Sequence, residues 1–254
     1  MPKRIRLATI AGLSVAIAPV AHAAAPRTYG DTLAARVISM NKGVSGVRLE
    51  AVGKDKRQIV VARGAPVMRA TVLRNSMGEP IGSVSVRFSR LTDTTAQNRA
   101  LEAIAADLSR HVYVADNLVE NDPFVPGARR APFAQAIVER MMAANPDLIT
   151  LAFHVGTTGE HNTILASNFG RIGKAGDKDD AKVIDHGDTL REVTNGGRRA
   201  AIELPLLDRR GRTVGALSTS FAIGPGGVDA AGRRAIEVRD QIARQIASLQ
   251  QISR

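Results

Sequence analysis

The sequence predicts an α+β protein of two related domains, each an antiparallel sheet with an N-terminal and a C-terminal helix. Three observations predict it. Residues 73–88 recur as residues 206–221 at a constant offset of 133, with Gly78 on Gly211, Gly82 on Gly215, Ser85 on Ser218 and Phe88 on Phe221. Apolar residues at helical spacing flank both copies. Between the copies lies a stretch punctuated by Pro123, Pro126, Gly127 and Pro132, the composition of a short stiff linker.

Taken in order, residues 1–23 read as a secretory signal peptide. Lys3, Arg4 and Arg6 form a basic start, an apolar run covers residues 7–20, and Ala21-His22-Ala23 gives the small-x-small cleavage pattern. The run is shorter than the ~20 residues of a spanning helix, so cleavage is expected rather than anchoring, and with it a periplasmic location. The first domain spans residues 27–121. It begins with a helix carrying Leu33, Val37 and Met40, followed by a strand at 47–52, and ends in a helix from near Ala96 with Leu101, Ile104, Leu108 and Val112 on one face. A linker at 122–132 leads to the second domain, residues 133–254. Here a helix with Phe133, Ile137 and Met141 precedes a strand at 148–155, and a helix from near Ala230 carries Ala235, Val238, Ile242, Ile246 and Leu249. Within these last helices Arg99-Ala100-Leu101-Glu102 matches Arg234-Ala235-Ile236-Glu237. Asn75-x-x-Gly78 and Asp208-x-x-Gly211 suit hairpin turns whose glycine takes a positive φ. The copies differ before the hairpin: residues 64–69 in the first face residues 170–199 in the second, a stretch rich in Gly, Asp, Lys and Arg that is expected to be a long loop.

Composition excludes several classes. The 254 residues include no cysteine, which removes disulfides, thiolate zinc sites, iron–sulfur clusters and cysteine nucleophiles. The net charge of +11 raises the question of nucleic acid. Three of those charges belong to the signal, however, and the rest are dispersed, without runs of Lys and Arg interleaved with aromatics. No nucleic-acid partner is expected.

Candidate site residues fall in the second domain. In the strand at 148–155, Thr150, Ala152 and His154 share one face, while Ile149, Leu151 and Phe153 form the apolar face. His154 thus points to solvent or to the long loop, in a structural or a functional role. Arg171 and Lys174 suit a clamp on a carboxylate or phosphate, with Ser167 and Asn168 adding neutral hydrogen bonds; the alternative is a solvated, charged loop. His154, His161, Asp185, His186 and Asp188 are of metal-binding type, but their spacing fixes no site, so neither metal nor cofactor is assigned. Residues 177–188 lack the closing glutamate of a calcium loop. No serine lies in a Gly-x-Ser-x-Gly turn, and Gly170-x-x-Gly173-x-x-Gly176 lacks the strand–helix crossover that cradles phosphate. The chain is not expected to be an enzyme.

One resemblance adds to this. Thr163-Ile164-Leu165-Ala166-Ser167-Asn168, Gly170-Arg171-Ile172-Gly173-Lys174, Val183-Ile184-Asp185-His186-Gly187 and the hairpin from Asp208 follow one another in a run that resembles a Cache domain, the extracytoplasmic relative of the PAS fold. The likeness covers residues 130–224, and the first copy is similar to a degenerate PAS-like module. It implies a long helix packed on an antiparallel sheet, and a small-molecule pocket between sheet and covering loop; the ligand-binding residues expected from the reading of the strand and loop are His154, Ser167, Asn168, Arg171, Lys174, Asp185 and His186. Members sense amino acids, organic acids or related metabolites and are normally joined to a transmembrane helix and an output module. Neither is read here, and without tryptophan the family's aromatic amino-acid motif is missing. The expectation is an exported sensory or accessory protein that binds a small anionic molecule and passes its state to a membrane sensor or transporter. Alternatives are an interaction module, forming a homodimer or docking through its helical faces, and a metal-binding accessory.

Overall fold

A computed structural model describes residues 27–67, 69–89, 93–156 and 162–254; the signal peptide expected at 1–23 lies outside them. Among the described residues the chain is α+β, with two antiparallel sheets and six α-helices. Helix α1 (Tyr29–Met40) starts at a capping box in which Thr28 and Asp31 bond each other's backbone. Strands β1 (Val44–Val52), β2 (Gln58–Gly64), β3 (Arg69–Arg74) and β4 (Pro80–Phe88) form a sheet in the order β2-β1-β4-β3. Helix α2 (Thr94–Ser109) follows, capped by Asp93. Helix α3 (Pro132–Ala144) opens with proline at its first position, where the missing N–H is no loss. Then come β5 (Leu148–Val155), β6 (Thr163–Ser167), α4 (Lys178–His186), β7 (Leu190–Thr194), β8 (Arg199–Leu207), β9 (Thr213–Ala222), α5 (Gly227–Ala243) and α6 (Leu249–Ile252). The second sheet runs β6-β5-β9-β8-β7. Without β7, both sheets have the same connectivity.

Each sheet covers its own apolar core. Leu33, Val37, Leu49, Val84, Leu101 and Leu108 belong to the first, and Ile137, Met141, Leu151, Phe153, Leu217 and Val238 to the second. The two hairpins are built alike. Asn75 Oδ1 accepts from the N–H groups of Met77 and Glu79, and Asp208 Oδ1 from those of Arg210 and Arg212. Gly78 and Gly211 take φ of 78° and 77°. The second glycine of each motif has a different role. A Cβ on Gly82 would run into the Glu50 carbonyl oxygen of β1, and one on Gly215 into that of His154 on β5.

Several expectations need correction. The long loop at 170–199 contains a helix and a strand. Asp177 accepts from the N–H groups of Asp179 and Asp180 while Asp180 accepts from that of Asp177, and this capping box starts α4; β7 then pairs with β8 at the sheet edge. The expected linker at 122–132 is partly fixed, since Phe124 N–H donates to Ile172 O and Pro132 already belongs to α3. An irregularity between Leu148 and Thr150 brings Leu148, not Ile149, into the core. Met40 is 61% exposed, and Leu249 lies beyond the end of α5 and is 37% exposed, with Ile252 buried in its stead. The Arg-Ala-x-Glu match does not preserve faces, because Leu101 is buried and Ile236 is exposed.

The hairpin geometry predicts opposite responses to asparagine. Asparagine tolerates a positive φ, so Gly78→Asn stays within about 1 kcal/mol of the parent. Gly82→Asn forces β1 and β4 apart and costs roughly 1–3 kcal/mol or more. Urea midpoints of the two variants measure the difference.

Candidate functional site

The two faces of the second sheet differ in chemistry. One carries Leu151, Phe153, Ile202, Leu204 and Leu217 against α3 and α5. On the other, cross-strand pairing aligns Ala152 with Ser218 and Ser218 with Glu203, and His154 with Ala216. Thr150 and Ser220 bond through their hydroxyls at 2.5 Å on the same face. Small and polar side chains leave room there, and α4 lies over it, packed on β8 and β9.

This layer encloses a set of polar atoms without hydrogen-bond partners. Asp180 is 2% exposed; its Oδ2 accepts from the Asp177 N–H at 3.0 Å and lies 3.0 Å from His154 Nδ1. That contact has the length of an ion pair but not the alignment of a hydrogen bond, so His154 Nδ1 is unpartnered. Asp180 Oδ1, Glu203 Oε2, Ser218 Oγ and Asn162 Oδ1 are buried and unpartnered as well. Asn162 stands beside Asp180: a Cβ on Gly176 would meet Asn162 Oδ1 and Asp180 Oδ2 together, so only glycine lets the chain pass there. Burial raises the Glu203 carboxyl to about 7, reinforced by the negative charge of Asp180 and Asp177. Next to it a cavity of about 280 Å³, lined by Asp179, Leu190, Arg191, Glu192, Ala201 and Glu203, opens between α4 and β7. Native proteins rarely bury unpaired polar groups, and a cluster of them beside a cavity is where a ligand's polar atoms fit.

The residues expected at the site are divided by the structure. His154 is in it, 8% exposed beneath α4. Ser167, Asn168 and Arg171 belong instead to the contact between the two halves. Asn168 is fully buried: its Oδ1 accepts from the Leu151 N–H at 2.8 Å, and its Nδ2 donates to the carbonyls of Arg110 at 2.6 Å and Ile149 at 3.1 Å. Its own carbonyl lies 2.9 Å from Tyr29 Oη and 3.1 Å from His111 Nδ1. Burial pushes the Tyr29 phenol up, and burial with nearby Arg36 pushes the His111 imidazolium down. Arg171 grips Glu120 through Nε and Nη2 at 2.9 and 2.7 Å. Ser167 donates to the Gly170 carbonyl and lines a second cavity of about 190 Å³ between the halves, with Tyr29, Arg36, His111 and Glu139. Gly170 meets the Tyr29 ring there, where a Cβ would approach to 2.8 Å. Lys174 is half-buried in the turn after Arg171, its carbonyl accepting from the Ile164 N–H. Asp185 and His186 are exposed at the far end of α4, where His186 lies 4.0 Å from Asp188. Arg171 and Lys174 therefore form no joint clamp over the sheet. The metal-type set is not gathered either. Among the described residues no group of three or more His, Asp or Glu is placed to hold a metal, and His161 lies outside them.

Asp180, Glu203, Ser218 and Asn162 are site residues that the sequence reading missed. For Glu203 a signal existed. It interrupts the apolar run Ala200–Leu207 of β8 on the face opposite Ile202 and Leu204, the same alternation that singled out His154 on β5.

No protein-family model matches the sequence, and no curated protein matches it significantly. Among solved structures, the chain is similar to a GAF sensor protein from Burkholderia vietnamiensis at 13% identity, over 50% of this chain and 95% of that one, with a TM-score of 0.31. It is similar to the Agobacterium tumefaciens repressor BlcR at 10% identity, over 62% and 86%, with a TM-score of 0.34. A third is the inducer-binding domain of the transcription factor PobR from Acinetobacter, in a complex with 3-hydroxybenzoic acid, at 12% identity over 47% and 100%, with a TM-score of 0.28. Overlap of this extent assigns the chain to no family.

Two outcomes follow from the geometry. Asn168→Ala leaves the buried Leu151 N–H and Ile149 carbonyl without this partner and costs roughly 2–6 kcal/mol in urea unfolding, at about 1–3 kcal/mol for each of the two groups. Glu203 has a carboxyl raised above its unfolded value, so its protonated form favours the folded state. Stability from this residue is present below the unfolded value, about 4.5, and falls as pH rises through about 7. Glu203→Gln removes that decline: its melting temperature matches the parent in acid and exceeds it in mild base.

Proposed function

We propose that the chain is an exported, periplasmic small-molecule-binding protein of two tandem PAS/Cache-like domains, in which the second binds the ligand and the whole passes its state to a partner. The observation that carries this reading is the set of unpartnered polar atoms between the second sheet and α4. A structural polar cluster would be expected to satisfy itself; here polar atoms on β5, β8, β9 and α4 lie bare, and Glu203 among them borders an open cavity. The shared connectivity of the two sheets supports a duplicated domain, and the Lys3-to-Ala23 segment supports export.

The reading is of binding and not of catalysis. Ser218, His154 and Asp180 are types that make a hydrolytic triad, yet Ser218 Oγ has no hydrogen bond to any base, and a nucleophile needs one. The anionic ligand expected from Arg171 and Lys174 has no clamp over this face, because Arg171 is held by Glu120.

The test is thermal unfolding of the purified chain against small amines, amino acids, organic acids and divalent metals, with Ala201→Trp as the variant that fills the cavity. A ligand at a hundred times its Kd adds about 2.7 kcal/mol, a clear rise in melting temperature. The rise is expected in the parent and not in Ala201→Trp. Stabilisation that survives Ala201→Trp would place binding elsewhere.

A further inference from the structure

The bare atoms under α4, of which that of Glu203 borders the cavity, are unequal in kind. Asp180 Oδ1, Glu203 Oε2, Asn162 Oδ1 and Ser218 Oγ are all oxygens able to accept, and His154 Nδ1 is the one unpartnered nitrogen of the set. Asn162 and His154 are 7% and 8% exposed, so water does not freely satisfy either. Acceptors in such excess call for a donor-rich guest. The charges agree. Asp177, Asp179 and Asp180 on α4 and its cap, and Glu192 on β7, face Glu203 or its cavity, and His154 on β5 is the group that opposes them there. The cations nearby are engaged elsewhere, Lys182 with Asp179 at 2.8 Å and Arg191 with Asp229 at 2.7 Å. An anion would enter this space against uncompensated carboxylates. Two buried carboxylates, each with one oxygen left bare, are in turn costly without a further donor.

We infer that the pocket under α4 binds a primary ammonium group, its three N–H donors shared among Glu203, Asp180 and Ser218, with the rest of the ligand in the cavity beside Leu190 and Ala201. This rests on the small-molecule reading above and narrows it to amines without a carboxylate beside the nitrogen, since Arg191, the basic residue of the cavity lining, is paired with Asp229. An ammonium also fits better than a divalent metal. It makes hydrogen bonds near 2.8 Å and takes a serine hydroxyl as readily as a carboxylate, whereas no three His, Asp or Glu among the described residues are placed to hold a metal. Binding requires an ionised Glu203, so a proton leaves as the amine enters.

Calorimetric titration of the full chain with 1,4-diaminobutane, its neutral isostere butane-1,4-diol, succinate and zinc chloride decides it. The diamine is expected to bind, its affinity rising from about pH 6 to about pH 8 with proton release at the acid end, while the diol and succinate do not bind. Glu203→Gln, which removes a buried charge and should fold, weakens the diamine by about tenfold or more; Ser218→Ala weakens it by a smaller factor. Equal binding of diamine and diol overturns the ammonium assignment. Succinate binding lost in Ala201→Trp overturns it too but leaves the small-molecule site standing, and zinc binding lost in Glu203→Gln replaces it with a metal. If no compound binds and Glu203→Gln merely stabilises, both readings fail.

Discussion

The side-chain amide of Asn168 is the contact on which the arrangement of the two halves depends. It takes up the Leu151 N–H and the Ile149 carbonyl of β5 and reaches across to the Arg110 carbonyl at the end of α2. These are backbone groups at places where no ladder or helix partner serves them, and buried backbone groups must be paired. Tyr29 and His111 then converge on the Asn168 carbonyl from the first half. Arg171 adds its grip on Glu120, and Arg36 reaches Glu139 at 3.2 Å. A buried hydrogen-bonded network of this kind rigidifies and fixes one geometry. The asparagine and arginine of the Ser-Asn … Arg-Ile-Gly-Lys run thus serve to join, and the space over the sheet is lined by others.

The pocket face follows the opposite rule. Its strands alternate large apolar residues on the core side with Ala, Ser and Thr on the other, so the helix that covers them cannot close down on bulk. Helix α4 is a poor lid in apolar terms: Val183 is its buried hydrophobic residue, and the buried partner beside it is Asp180. An apolar helix would have sealed the face. This one is held by a capping box and an ion contact to His154, interactions whose strength depends on the charge state and contents of the pocket.

The fold was largely legible because its signals are local and doubled. The repeated hairpin is fixed by an Asx turn and a positive-φ glycine, and the helices by 3.6-residue spacing. The inserted stretch was opaque because its helix is short, charged and signalled by Asp177 and Asp180 in place of the Ser/Thr and Glu of a typical capping box. The site was read only in part. His154 stood out as a polar residue on an alternating strand. Glu203 carries the same signature, but the glycine-rich motif nearby drew attention to Arg171 and Lys174. Whether a motif residue faces a cavity or a neighbouring half is a matter of long-range packing. Arg171 with Glu120, 51 residues apart, leaves no local trace.

Strand β6 connects the two regions. Asn162 immediately precedes it, and the Gly176 N–H donates to the Asn162 carbonyl at 2.7 Å, so this end of the strand lies against Asp180 and the pocket. Its other end is Ser167, followed by Asn168 and the contact with the first half. Five residues of strand span roughly 16 Å at about 3.3 Å each. The bare side-chain Oδ1 of Asn162 stands beside Asp180. A guest that donates to Asp180 draws on the same corner as Asn162. The polar lid and the buried amide, which obey opposite packing rules, therefore lie at the two ends of one short strand.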